Sequence, residues 1–131
     1  EYNLTIKNQN VKLKGIIDRI DLFNDEVRII DYKSGNVNSG VLDIKNIDKV
    51  KKDHKYSYLL QLLFYKYLLG MNDAEIQIKE IGICSLKKRH LPFQFIKNQA
   101  ILSLEEIQII ISEIIIDIMQ TDEFIDSGNP L

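Results

Sequence analysis

The sequence is poor in the residues that build disulfides, cysteine metal sites and membrane spans. It has one cysteine, Cys84, which excludes an internal disulfide and any metal site made of several cysteines. It has no tryptophan, two prolines and six glycines. No run of about 18 uncharged apolar residues occurs, and the longest apolar stretch, Ile107 to Met119, is interrupted by polar and charged side chains. We therefore expect no transmembrane helix.

The sequence also lacks a large charge of either sign. The formal net charge is −2, so any contact with nucleic acid would need a local basic patch or a metal ion. The first residues show neither a basic n-region nor an apolar h-region, and we expect no signal peptide and a cytoplasmic location. The length of 131 residues, with 45% hydrophobic and 27% charged residues, predicts one globular domain over residues 1–131.

Hydrophobic periodicity predicts a mixture of strands and helices. Apolar alternation and β-branched residues predict strands at Tyr2–Lys7, Val11–Phe23, Val27–Tyr32 and Glu75–Leu86, with an edge strand at Pro92–Ile96. A broad apolar face predicts a helix over Tyr56–Leu69, with Gly70 at its C′ position. A second helix begins after Ser103, where Glu106 completes a capping box. This order predicts an α/β or α+β fold in which helices flank a mixed central sheet.

One predicted hairpin carries charges on its more apolar face. A symmetric turn at Asn24-Asp25 would place Asp18 opposite Asp31, with Lys33 on the same face because side chains alternate along a strand. That face also holds Ile16, Ile20, Leu22, Val27 and Ile29, and the opposite face holds Arg19 and Asp21.

The two opposed carboxylates need a compensating positive charge. Directly opposed residues have Cβ atoms about 5 Å apart, and two carboxylates at that separation repel by about 3 kcal/mol at an effective dielectric of 20. Lys33 supplies one positive charge, and a divalent cation between Asp18 and Asp31 would supply more. Mg²⁺ favours one or two carboxylates with waters and phosphate oxygens, and the Tyr32 carbonyl could add an oxygen. The chemistry that fits is metal-assisted phosphodiester hydrolysis.

A simpler interpretation of the same residues stays open at this point. The hairpin could lie on the surface and carry a solvated Asp–Lys–Asp cluster. The choice between a metal site and a surface cluster depends on the hairpin register, because a turn of odd length would not place Asp18 opposite Asp31.

Three motifs in order resemble the PD-(D/E)XK nuclease superfamily. They are Gly15 to Asp21 (GIIDRID), Asp31 to Gly35 (DYKSG), and Gln61 with Tyr65 four residues later. The chain is most similar to the RecB-like branch, which includes the nuclease domains of the AddAB and RecBCD helicase–nucleases and CRISPR-associated exonucleases. The resemblance covers residues 1 to about 67.

The resemblance implies a restriction-endonuclease-like core and a role for each matching residue. Asp18 and Asp31 would bind Mg²⁺ or Mn²⁺, and Lys33 would be the catalytic lysine. Gln61 and Tyr65, on one helix face at i, i+4, would border the site and position DNA or Lys33. Ordinary pairing on a helix surface is the alternative for these last two residues.

The resemblance also implies features outside this chain. Glu1 resembles the acidic residue that opens the first strand in members of this branch. Those members also carry a helix with a metal-binding histidine before that position. Several have a cysteine cluster for an iron–sulfur cluster after the last helix. We therefore expect a fragment of a longer protein, with an iron–sulfur cluster possible only in the full-length protein and a helicase subunit or domain as partner. A fragment of this kind could lack part of the metal site, so both an active and an inactive isolated chain remain open alternatives.

Two basic clusters are candidates for phosphate contact. The better one, Lys49, Lys51, Lys52 and Lys55, immediately precedes the Gln61 helix, and the second is Lys87, Lys88 and Arg89. A solvated charged face is the alternative for both clusters.

The sequence therefore favours a metal-dependent deoxyribonuclease domain of a recombination or repair protein. A catalytically inactive DNA-binding or scaffold domain with the same fold is the main alternative. A metallohydrolase that acts on small phosphate esters is the third hypothesis.

Overall fold

The computed structural model describes residues 1–35, 37, 39–87, 90, 92–97 and 102–126. The strands are β1 (Tyr2–Ile6), β2 (Gln9–Leu13), β3 (Arg19–Phe23), β4 (Glu26–Lys33), β5 (Gln77–Ser85) and β6 (Phe93–Phe95). The helices are α1 (Ser57–Asn72) and α2 (Leu104–Asp126). Short 3₁₀ turns at Ser39–Leu42, Ile44–Lys49 and His54–Tyr56 connect β4 to α1.

The β1–β2 and β3–β4 hairpins close through two-residue turns with left-handed backbone. Lys7 and Asn8 have φ of 49° and 64°, and Asn24 and Asp25 have φ of 50° and 65°. Positive φ at both central residues defines a type I′ turn, whose twist matches that of the flanking strands. The predicted turn at Asn24-Asp25 is confirmed, and so is its symmetric register, which pairs Phe23 with Glu26, Ile20 with Ile29 and Arg19 with Ile30.

The main sheet has the order β3-β4-β5-β6 and mixed strand directions. β4 and β5 are parallel and joined across α1, while the outer pairs are antiparallel. The central strands are buried, with Ile29 and Ile81 fully inaccessible and Cys84 buried as well. The predicted fold class is confirmed: a mixed sheet flanked by helices, with a separate β1-β2 ribbon.

The two helices pack on each other and cover one side of the sheet's core. α1 buries Leu59, Leu62 and Tyr67, and α2 begins with the predicted capping box. The backbone N–H of Glu106 donates to Ser103 Oγ at 3.2 Å, and the Ser103 N–H donates back to Glu106 Oε1 at 3.4 Å. Within the described ranges, neither helix is long and apolar enough to cross a lipid bilayer.

The continuous strand expected over Val11–Phe23 is wrong, because residues 14–18 leave the strand conformation. The reason is packing of this connection on α1. A Cβ added to Gly15 would lie 2.9 Å from Leu68 Cδ1 and 3.2 Å from Tyr65 Cε1. The backbone therefore passes close to the helix, and Asp18 sits in the connection immediately before β3.

The expected helix end at Gly70 is also wrong, since α1 continues to Asn72. A Cβ on Gly70 would lie 2.8 Å from Leu104 Cδ1. Gly70 is therefore the point where the start of α2 approaches α1 closely, rather than a C′ residue.

The buried apolar face expected across the β3–β4 hairpin is confirmed for β4 only. Val27 and Ile29 belong to the core, but Ile20 and Leu22 are exposed and Ile16 is 85% exposed. β3 lies at the sheet edge, where its apolar side chains stay exposed.

Candidate functional site

Five side chains proposed from the sequence converge at the C-terminal end of β4. Asp31 and Lys33 project from the inner face of this strand, two residues apart. Gln61 and Tyr65 project towards them from α1, where the i, i+4 spacing places both on one face. Asp18 reaches the same place from the connection that precedes β3.

Asp31 is the buried charge at the centre of the cluster, with 3% of its surface exposed. Its Oδ2 atom lies 2.8 Å from Lys33 Nζ. The ammonium approaches this oxygen at ion-pair distance but not along a hydrogen-bond direction, and no other donor in the described residues hydrogen-bonds it. A carboxylate oxygen has two lone pairs, so this atom has the capacity to accept a second positive ligand beside Lys33.

Asp18 is anchored beside Asp31 by the backbone. The N–H of Tyr32 donates to Asp18 Oδ2 at 2.9 Å, so this carboxylate lies over the end of β4. Burial raises the pKa of Asp31 above its ordinary value, and contact with Asp18 raises it further, while the Lys33 charge opposes both effects. Folding therefore disfavours the ionised form of Asp31 relative to the same group in water.

A chain of hydrogen bonds runs from the lysine into α1. Lys33 Nζ donates to Gln61 Oε1 at 2.8 Å, and Gln61 Nε2 donates to Tyr65 Oη at 2.9 Å. Tyr65 is buried and packs against the Gly15 backbone. One network therefore ties β4, α1 and the connection carrying Asp18 together.

The strand next to β4 supports the site from behind. Lys33 pairs with Ser85 across the parallel β4–β5 ladder, and its carbonyl accepts from the Leu86 N–H at 2.8 Å. The buried Ser85 hydroxyl donates to the Gly35 carbonyl at 2.7 Å. Ser85 therefore fixes the backbone that follows the lysine, a role that only its strand register could have indicated.

Sequence reasoning also missed Tyr58, whose ring centroid lies 4.6 Å from Lys33 Nζ. The available signal was its position three residues before Gln61, which places both on one face of α1.

All four lysines of the basic cluster before α1 are exposed, and two of them pair with acidic side chains: Lys55 with Asp53 at 3.8 Å, and Lys51 with α2. Lys51 Nζ pairs with Glu113 at 3.0 Å and with Asp117 at 3.7 Å, which ties it to α2. Lys49 and Lys55 extend past the ring of Tyr56, at 6.0 and 5.2 Å from its centroid. Lys52 is exposed. In the second cluster, Lys88 and Arg89 lie outside the described residues.

Glu1, Arg19 and Asp21 make exposed ion pairs away from this network. Glu1 pairs with Lys14 at 3.5 Å. Arg19 binds Asp21 with two hydrogen bonds of 2.9 and 3.0 Å on the outer face of the sheet. Both residues lie on the face opposite Asp31 and Lys33, as the strand alternation predicted.

The donors at the site fit a hard divalent cation. Asp18 and Asp31 offer carboxylate oxygens, and the Tyr32 carbonyl faces the same side of β4 as the Tyr32 N–H that binds Asp18. In the part of the chain that the structure describes, no group of three or more His, Cys, Asp or Glu side chains could hold a metal. Two carboxylates with waters suit Mg²⁺, which rarely requires an all-protein cage.

The fold and the site together define a restriction-endonuclease-like protein, with acidic residues and a lysine at the end of a central strand. The chain belongs to the PD-(D/E)XK nuclease superfamily, whose family model matches residues 1–124. Members of this superfamily are in general phosphodiesterase nucleases that use divalent metals such as Mg²⁺ or Mn²⁺. Comparison with curated proteins and with solved structures gave no significant match.

Proposed function

We propose that this chain is a metal-dependent DNA nuclease domain of the RecB-like branch. In this proposal it is a single domain of a longer cytoplasmic protein that acts with a helicase subunit or domain in recombination or repair. The observation that carries the proposal is the buried Asp31 carboxylate, which lies at ion-pair distance from Lys33 and beside Asp18.

The proposal assigns the cation to Asp18, Asp31 and the Tyr32 carbonyl. When bound, Mg²⁺ or Mn²⁺ would supply positive charge for the phosphate oxygens and lower the pKa of a water. The fold already places the two carboxylates together, so the cation would relieve the repulsion between them.

In this proposal, Lys33 stabilises the negative charge that develops on the phosphate. Its ammonium is held by Asp31 and Gln61 at 2.8 Å each, so it is positioned before the substrate arrives. A preorganised cation of this kind stabilises a transition state without reorganising during the reaction. Gln61 and Tyr65 are positioning residues in this scheme, because Tyr65 accepts the hydrogen bond that orients the Gln61 amide.

DNA is proposed to approach across the N-terminal end of α1. The exposed lysines Lys49, Lys52 and Lys55 precede this end and are the proposed phosphate contacts. Lys51 was predicted with them, but its ion pairs with α2 make it the weakest candidate. Contacts of this type bind the backbone rather than read bases, so binding should weaken steeply with salt.

An inactive DNA-binding or scaffold domain is the second candidate. It is favoured by the small donor set, since only Asp18 and Asp31 supply carboxylates here and the described residues contain no larger ligand cluster.

Incubation of the chain with linear single- and double-stranded DNA and Mn²⁺ separates the two candidates. We expect cleavage by the unmodified protein and a loss of about 100-fold or more for Asp31→Ala and for Lys33→Ala. The matched control is Asp21→Ala, which removes an equally charged residue from the outer face and should leave the rate unchanged. DNA binding without cleavage by all four proteins would contradict the nuclease proposal and favour the inactive domain.

A further inference from the structure

The ammonium of Lys33 is enclosed on three sides by groups from two elements. Asp31 Oδ2 and Gln61 Oε1 lie 2.8 Å from Nζ, and the ring centroid of Tyr58 lies 4.6 Å from it. The first contact is an ion pair and the second a hydrogen bond, whereas the third is the face of an aromatic ring. A lysine side chain has four rotatable bonds, so two polar contacts alone leave it other orientations.

This contact differs from the other pairings of cations with rings in the described chain. The Lys33 side chain is 19% exposed, while that of Lys55, beside Tyr56, is 60% exposed. Attraction between a cation and a ring strengthens as water is removed. The ring of Tyr58 therefore constrains its lysine more strongly than the ring of Tyr56 does.

Tyr58 and Gln61 contact the Lys33 ammonium from the same helix, α1. Tyr58 lies three residues before Gln61, so both project towards β4 from one face of the helix. The helix thus supplies a hydrogen-bond acceptor and an aromatic wall for the same ammonium. No hydrogen bond of the Tyr58 hydroxyl takes part in this arrangement among the described contacts.

We propose that Tyr58 is a positioning residue for Lys33 and that its ring, not its hydroxyl, holds the ammonium where the phosphate charge develops. The catalytic half of this inference rests on the proposed nuclease function. The geometric half concerns the resting protein and can be tested without substrate.

The first test is the proton NMR spectrum of the metal-free chain. Protons over an aromatic face are shielded, so the ε-methylene of Lys33 should resonate upfield of the other lysines. Tyr58→Phe should keep this shift, and Tyr58→Leu should abolish it. A Lys33 signal that is the same in the unmodified chain and in Tyr58→Leu would overturn the proposal.

The second test is steady-state cleavage of linear DNA with Mn²⁺. We expect Tyr58→Phe to retain kcat and Tyr58→Leu to lower kcat about 10-fold while KM for DNA is unchanged. Phe93→Leu is the matched control, because its ring lies 6.0 Å from the Arg19 guanidinium on the outer face. It should alter neither kcat nor the Lys33 signal.

The two tests separate failure of this inference from failure of the nuclease proposal. Full kcat in Tyr58→Leu together with loss of the upfield shift would reject a positioning role for the ring. Equal loss of kcat in the Phe and Leu variants would reject the ring and implicate the hydroxyl. No cleavage by the unmodified chain, with the upfield shift present, would reject the nuclease proposal while the geometry of Lys33 stands.

Discussion

The β3–β4 hairpin carries two pairs of an acid and a base, each two residues apart along a strand, on its opposite faces. Asp31 and Lys33 lie on the inner face with side chains 5% and 19% exposed, and Asp21 and Arg19 lie on the outer face with side chains 37% and 41% exposed. The shortest contacts are nearly equal, at 2.8 and 2.9 Å. Their electrostatic consequences are opposite.

In the outer pair, Asp21 and Arg19, the fold stabilises the ionised carboxylate. In the inner pair, Asp31 and Lys33, the fold destabilises it. Two hydrogen bonds from Arg19 lower the pKa of Asp21 below its ordinary value. Burial and Asp18 raise the pKa of Asp31 despite its neighbouring ammonium. Similar residues at similar spacing therefore make a surface ion pair on one face and a buried pair with a destabilised carboxylate on the other. Burial, rather than the sequence motif alone, makes the difference.

The largest expected difference between the pairs is in folding stability when the base is removed. Lys33→Met leaves Asp31 buried without its positive partner and should lower the free energy of unfolding by about 3 kcal/mol at neutral pH. Arg19→Met removes an exposed partner and should change it little. Urea denaturation of both variants in the absence of metal measures this difference. Equal changes would contradict the distinction.

Acid titration should give opposite trends for the two acids. Folding raises the pKa of Asp31, so its contribution to the free energy of unfolding falls as the pH rises from 3.8 through the folded-state pKa. Folding lowers the pKa of Asp21, so its contribution is present above pH 3.8 and is lost as the pH falls through the folded-state pKa.

Urea denaturation between pH 3 and pH 8 checks these signs. The stability of the unmodified chain relative to Asp31→Asn should increase towards acid, and its stability relative to Asp21→Asn should decrease. Parallel curves for the two comparisons would show that the two carboxyls share one environment.

The smallest expected effect is the response of each pair to salt. Exposed charges are screened at high ionic strength, whereas buried pairs are screened much less. A double-mutant cycle on Arg19 and Asp21 should give a coupling energy that declines with added salt. The same cycle on Lys33 and Asp31 should give a coupling energy that hardly changes. A salt-sensitive inner pair would mean that water reaches Asp31 freely.

Much of the site could be predicted because its determinants are local. The two-residue turn at Asn24-Asp25 sets the register of the hairpin as far as Arg19 and Ile30, and Asp18 follows at the end of this ladder, where the Tyr32 N–H binds it. The spacing of Gln61 and Tyr65 along one helix places them on one face. Each of these inferences needs only the period of a strand or a helix.

The remaining features depend on contacts between distant parts of the chain. The run around Ile16 and Ile17 has strand composition, yet packing of Gly15 against Tyr65 keeps it out of a strand. Ser85 meets the site only through the parallel β4–β5 register. Neither contact follows from local periodicity.

The most direct test of the central claim is Mn²⁺ binding to the chain without DNA, measured by isothermal titration calorimetry at pH 7.5. A cation site between Asp18 and Asp31 predicts one binding event in the unmodified chain, its loss in Asp31→Asn and its retention in Asp21→Asn. Equal affinity for Mn²⁺ in Asp31→Asn and the unmodified chain would contradict the account.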